Sequence, residues 1–295
     1  MASVARVQGI VAVFVVAALS ACSAVDKVDK ADNLASAGIA FADSVPAFID
    51  ESFVLTVTAN SLVLKQARDD LTEKVRIGRL QENDQLLIER LRILRDLKRH
   101  ALLLRSYFVA LKAITWTDAA SGITDETKNV VARLGELSPA IKGASIDGAP
   151  ISDFIEPGVK LIVAVYQNAV LRRELDERGE AIERELALQQ AALSAIRDQM
   201  IADSDVQVEI EIRNPIFEAF VGSGSLPGNW NNQRVAAFKK SIEFESYNIA
   251  AKAAGDLRKN WMAFAENRLD ETVLLLLVQD VEALVQLAAK IKAAE

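Results

Sequence analysis

Only one cysteine, Cys22, and one histidine, His100, occur in the 295 residues. A lone cysteine rules out an intramolecular disulfide. Transition-metal sites draw mainly on His and Cys. No H-E-x-x-H pattern and no calcium loop makes up that shortage, so no metal site and no cofactor is expected. Prolines number 6 and glycines 13. A chain of this length with so few breakers has to be built from long, uninterrupted elements. Ala and Leu dominate and alternating β-branched stretches are sparse, so those elements are expected to be helices. What the chain does have is apolar: hydrophobic residues are 51%, enough for a sizeable core and too many for a disordered chain. Positive charge is in the minority, with 34 Lys and Arg against 41 Asp and Glu, a net −7. That balance suits a soluble body repelled by anionic lipid surfaces. It does not suit nucleic acid, which calls for clustered positive charge, and no nucleic-acid partner is expected.

The N-terminal segment has a separate logic. Residues 1–9 carry one charge, Arg6, and Ile10 to Leu19 is an uninterrupted apolar run. At about ten residues it is too short for a membrane span, which needs ~20, and it fits the apolar region of a secretory signal. Leu19-Ser20-Ala21-Cys22 follows directly. This sequence resembles the lipobox of bacterial lipoproteins: a branched apolar residue, two small residues, then cysteine. The resemblance covers about the first 22 residues only. It implies a diacylglyceryl group on the Cys22 thiol, cleavage just before it with Leu19, Ser20 and Ala21 as the recognition residues, and fatty acylation of the new amino terminus. An ordinary signal cut after Ala21 is the plain alternative. Two or three acyl chains anchor stably where one binds only marginally. Ser23 follows the cysteine; the absence of Asp there implies the outer membrane, facing the periplasm. Residues 1–21 then form the signal, 22–33 the lipidated terminus with a short tether, and 34–295 a helical bundle domain.

Along the body, residues 23–33 (S-A-V-D-K-V-D-K-A-D-N) read as a polar tether or a frayed helix start. Asn33 to Ala42 predicts a first helix. Ser44-Val45-Pro46 predicts a new start, with a capping hydroxyl and a proline in the first turn. Residues 46–114 are expected to be helical with an interruption near Gly78. Leu87, Leu91, Leu94, Leu97, Ala101, Leu104, Phe108 and Leu111 recur at spacings of three and four, which marks one buried face. A loop is expected over Trp116–Thr124 around Gly122, then a helix begun by Asp125 and Glu126 and ended near Pro139, then a loop over 143–152. Pro157 predicts the start of another long helix, reaching about Ala202. V-Q-V-E-I-E-I, residues 206–212, alternates with period two and predicts a short strand or an extended linker. Pro215 to Val221 predicts a short helix and G-S-G-S-L-P-G-N-W, 222–230, a loop. The rest reads as helix, with soft points at Gly255 and near Asn267. The expected fold is all-α: an elongated antiparallel bundle of long helices, with at most one short extended segment near 205–212. Kinks at Gly78, Gly179 and Gly255 are where such helices would fold back.

Candidate sites are few. Arg90, Arg92, Arg95, Lys98, Arg99 and Arg105 form the densest charge feature, and Arg92, Arg95 and Arg99 are spaced to share a helix face. They would meet an anionic partner, such as lipid headgroups or cell-wall carboxylates. The plainer expectation is pairing inside the bundle with the acidic run Glu174, Asp176, Glu177, Glu180, Glu183 and Glu185. His100 is expected to be a half-buried polar residue. Trp230, at the end of the glycine-rich loop, is a possible partner contact, although packing onto the bundle end is the commoner fate of such an aromatic. Glu183 and Glu185 could in principle serve glycoside chemistry, but acidic pairs occur on any charged helix. Gly222, Gly224 and Gly228 match neither a dinucleotide fingerprint nor a phosphate loop. Leu161–Tyr166 and Val273–Val278 are apolar runs of core length, far short of a span. No catalytic residue stands out. The expected function is that of a non-enzymatic, lipid-anchored helical protein of the cell envelope. It would act as a tether, adaptor or scaffold, with the membrane and an envelope protein as partners. A membrane-active protein that inserts apolar helices is the second class, and an envelope hydrolase using carboxylates the third.

Overall fold

The scarcity of breakers is realised as helices of up to 66 residues. The computed structural model describes residues 2–69, 71–116, 120–134, 136, 145–146, 149–150 and 169–294, and for 2–28, 115–116, 120–126, 145–146, 149–150, 240–245 and 294 the backbone alone. The helices are α1 (Ala2–Ala67), α2 (Glu73–Trp116), α3 (Ala120–Leu134), α4 (Ala169–Val208), α5 (Asn214–Val221), α6 (Trp230–Glu243), α7 (Asn248–Ala265) and α8 (Glu271–Ala294). A π-helical turn, Glu209–Arg213, joins α4 to α5, and a 3-10 turn, Phe244–Tyr247, joins α6 to α7. β1 (Ser145–Ile146) and β2 (Ala149–Pro150) pair antiparallel, two residues each.

Long helices pack in antiparallel pairs. α1 turns into α2 through Arg68–Thr72, and Gly38 on α1 lies against Phe108 on α2; a Cβ at Gly38 would sit 2.5 Å from that ring. α4 runs alongside α1, with Gln207 Nε2 donating to the Leu55 carbonyl (3.4 Å), and α7 returns along α4, with Trp261 Nε1 donating to the Gly179 carbonyl (3.1 Å). The centre is aromatic: Phe41, Phe48, Tyr107, Phe108 and Trp261 are fully buried. The expected leucine face is realised from Leu94 onward, where Leu94, Leu97, Ala101, Leu104, Phe108 and Leu111 are all buried. Leu91 is 43% exposed, because α2 there runs past the core.

Several local expectations need correction. Residues 23–33 take the helical alternative, as part of α1, and Ala31 is fully buried. Ser44 does not cap a new helix: its hydroxyl donates to the Ala40 carbonyl one turn back (2.8 Å), and Pro46 lies inside α1. An internal proline costs ~3 kcal/mol. Val45, Phe48 and Ile49 are within 1% of full burial, each worth ~1.5–3 kcal/mol, and together they outweigh it. The break expected at Gly78 falls instead at Arg68–Thr72. Ala120–Thr124, including Gly122, belong to α3, and Asp125 and Glu126 lie within it rather than at its start; a helical glycine costs only ~1 kcal/mol. Neither Gly179 nor Gly255 interrupts its helix. The alternating stretch 206–212 is helical, not extended. An isolated strand leaves its backbone groups unpaired, whereas a helix satisfies them internally and aligns Asp203, Ser204, Gln207 and Val208 toward the core. Pro139, Pro157 and the Leu161–Tyr166 run lie outside the described residues.

Gly78 sits exposed in mid-helix, and an added Cβ would meet nothing within 4 Å. Gly78→Ala is therefore expected to stabilise the protein by ~0.5–1 kcal/mol. Urea unfolding of the two proteins checks this, and an unchanged or lowered midpoint refutes it.

Candidate interaction surfaces

The basic stripe on α2 does not meet the acidic run on α4 as expected. Lys98 Nζ pairs with Asp50 (2.8 Å) and Arg105 Nε with Asp43 (2.6 Å), both on α1. The α4 acids find other partners: Glu174 pairs with Arg178, Asp176 with Arg172 (3.6 Å) and Glu183 with Arg258 Nε of α7 (2.7 Å). The α1–α2 register brings Asp43 and Asp50 to Arg105 and Lys98, while from α4 Asp203 lies near Arg90. Glu185 meets His100 Nδ1 at 2.9 Å, both side chains being buried, and also accepts from Gln189 Nε2 (2.9 Å). His100 is thus a fully buried polar residue, not a half-buried one. Arg92, Arg95 and Arg99 are exposed and form no ion pair among the described residues. They edge an open cavity of about 630 Å³ between α1 and α2, whose apolar walls include Phe53, Ile88, Leu91 and Leu94.

The second surface is the α5–α6 hairpin. Trp230 packs within it: the indole stacks on Phe220 (5.7 Å between ring centres) and its Nε1 donates to the Ile216 carbonyl (3.1 Å). The Arg234 guanidinium lies 5.0 Å from the ring centre, within cation–π range. Phe217, Phe220 and Phe238 stay 64–66% exposed around a cavity of about 360 Å³. Contiguous exposed apolar groups of this kind mark contact sites. Sequence reasoning picked out Trp230 and missed the phenylalanines, whose ordinary helical spacing gives no hint that the core ends below them. The Val273–Val278 run, expected as core, is split. Leu274 and Leu277 are buried, while Val273, Leu275 and Leu276 are 44–57% exposed, since α8 lies on the outside of the bundle and has neighbours on one side.

A buried polar cluster joins α2, α3 and α4. Thr127 Oγ1 donates to Glu174 (3.3 Å), which also pairs with Arg178 beside Tyr107. Burial raises the Glu174 carboxyl above its usual range, against the opposing pull of the Arg178 charge and of hydrogen bonds. Burial, then the Glu174 charge, pushes the Tyr107 hydroxyl well above its own. A raised carboxyl contributes stability that is fully present below its unfolded-state value and is lost as pH rises through the folded one. Wild type is therefore expected to gain stability relative to Glu174→Gln as pH falls from neutral toward the ordinary carboxylate range. Thermal unfolding at both pH values tests this, and a gap that is constant or moves the other way sinks it. Among the described residues, no three His, Cys, Asp or Glu side chains converge as metal ligands would.

No family model and no curated protein matches the sequence, and no solved structure matches the fold.

Proposed function

We propose that the chain is a lipid-anchored protein of the bacterial cell envelope, held through Cys22 at the periplasmic face of the outer membrane, and that it works without catalysis as a tether or adaptor. The polarity of the bundle carries this reading. The first packed turns of α1, near Lys30, sit beside Asp270 at the start of α8. The α5–α6 tip lies at the opposite end, since α1 and α4 run in the same direction and meet at Thr56 and Asp203 (2.5 Å). At 1.5 Å per helical residue the two ends are about 70 Å apart. A lipid on Cys22 would hold one end at a membrane while the exposed phenylalanines face an envelope protein at that distance.

Fatty-acid labelling tests the anchor. Wild type is expected to take up label and fractionate with membranes, and Cys22→Ala to lose both. A Cys22→Ala protein that keeps its signal-cleaved size and its membrane partition refutes the anchor. A photocrosslinker at Leu226 is expected to mark an envelope protein that one at Glu282 does not reach. Crosslinking of Leu226 to lipid of the anchoring membrane would refute the spacing.

A second reading, a membrane-active protein, is favoured by one observation. The stretch Asp29–Ala67 and helix α8 are long and apolar enough, by length and composition, to cross a membrane, and α8 leaves Leu275 and Leu276 exposed. Dye release from liposomes separates the two readings: leakage supports the second, and intact liposomes support the tether.

A further inference from the structure

We propose that the open groove between α1 and α2 binds a single-chain anionic lipid, with its acyl chain along Phe53, Ile88, Leu91 and Leu94 and its carboxylate or phosphate on Arg92, Arg95 and Arg99. This goes beyond the tether reading and does not depend on it.

Charge is the first argument. The chain is net negative, yet from Arg90 to Arg105 the only acid among six Lys and Arg is Asp96. Asp50 and Asp43 neutralise Lys98 and Arg105. Of the four arginines that remain, Arg90 lies near Asp203, and Arg92, Arg95 and Arg99 at the groove edge are left without an acidic partner among the described residues. All three belong to the wall of one cavity. Guanidinium groups are the side chains best matched to carboxylate and phosphate, which they bind through paired N–H donors.

The apolar walls are the second argument. Exposed aliphatic side chains are informative where they are contiguous and share one concave wall with charged groups. Here Ile88 (50% exposed), Leu91 (43%) and Leu102 (51%) line the same cavity as the arginines, with buried Ile49 and Leu94 beneath. The arrangement is a strip of hydrocarbon bordered by cations, complementary to an anionic amphiphile and to neither a free anion nor a neutral oil.

Size is the third. The α2 wall runs from Ile88 to Leu102, about 21 Å at 1.5 Å per residue. An acyl chain in one leaflet occupies about half of a ~30 Å hydrocarbon core, so one chain and its headgroup fit that length. A cavity of about 630 Å³ falls in the range of small-molecule sites, ~300–1,000 Å³.

The test is calorimetric titration of the full chain, in a neutral detergent, with oleate, oleoyl lysophosphatidate, monoolein, inorganic phosphate and an acidic amphipathic peptide. The proteins compared are wild type, Arg92→Gln/Arg95→Gln/Arg99→Gln, and Ile88→Ser/Leu91→Ser. The substituted side chains are all at least partly exposed, and unfolding midpoints close to wild type would confirm that both variants fold. One oleate or lysophosphatidate is expected per wild-type chain. Each variant should weaken that binding by about tenfold or more, a loss of ~1.4 kcal/mol or more, and monoolein should bind wild type correspondingly more weakly. Equal oleate affinity in wild type and the arginine variant overturns the proposal. So does phosphate binding as tightly as lysophosphatidate, which would leave a bare anion site. Preferential binding of the peptide would assign the groove to a protein helix instead.

Discussion

Trp261→Ala is expected to lower the free energy of unfolding by about 3–5 kcal/mol, a large share of the ~5–15 kcal/mol that holds a typical domain together. Trp261 is fully buried. Its ring meets Tyr107 (5.8 Å) and Phe108 (6.1 Å) edge to face, and Phe264 at 6.2 Å. These residues come from α2 and α7, and the indole N–H reaches across to α4. One side chain therefore bridges three helices, and its removal leaves a cavity that none of them closes by a local shift. The hydrogen bond is the smaller part of the loss, because the Gly179 carbonyl lies inside α4, where the helix supplies its own donor. Trp261→Phe, which fills most of the space without the N–H, is expected to recover most of the stability. Urea unfolding of both variants decides between these contributions. A loss under ~1 kcal/mol for the alanine variant would show that the aromatic cluster is not the keystone of the packing.

The second large effect is expected at the buried His100–Glu185 pair. His100→Leu leaves Glu185, 3% exposed, with Gln189 as its one remaining side-chain partner among the described residues. Removing one member of such a pair costs ~3–5 kcal/mol, whereas replacing both by apolar groups of similar volume is often neutral. His100→Leu is therefore expected to destabilise by ~3 kcal/mol, and His100→Leu/Glu185→Met to regain most of that. A double-mutant cycle measures the coupling. Losses that simply add would show that the two groups tolerate burial independently, and the pairing argument would fall.

The bundle was readable from composition and spacing because both report on single helices. Few breakers gave long elements, and the three-and-four repeat from Leu94 to Leu111 marked the face that α2 buries. Neither property records which helix lies opposite. The acidic run on α4 was therefore a natural but wrong partner for the α2 arginines: Asp43 and Asp50 belong to no acidic run in sequence and are brought to Arg105 and Lys98 by the register of the first hairpin. Gly38 shows the same limit. Nothing around it signals that Phe108, seventy residues later, occupies the space of a missing side chain. Pro46 and the 206–212 alternation misled for a different reason: local preference was outweighed by burial at the first and, at the second, by the lack among the described residues of a strand to pair with it. Of the surface features, Arg92, Arg95, Arg99 and Trp230 were visible as residue types, while the exposure that gives them meaning depends on where the core stops.

The π-helical turn before the tip sets the direction in which its aromatic residues point. Pro215 has no N–H to offer the carbonyl four residues back, and the Asn214 N–H bonds to Glu209, five residues back. A turn of this kind carries about one extra residue, and each residue of an α-helix advances the chain by about 100°. Everything beyond Arg213 is therefore out of phase with α4 by more than a quarter turn. Pro215, seven residues past Val208 and in line with it in an unbroken helix, is rotated off the inward stripe of Ser204 and Val208 and is exposed. Closing that turn into regular α-helix at unchanged chain length would rotate α5 by about 100° and carry its aromatic residues round with it, so the aspect of the tip is fixed by a counting rule upstream of it.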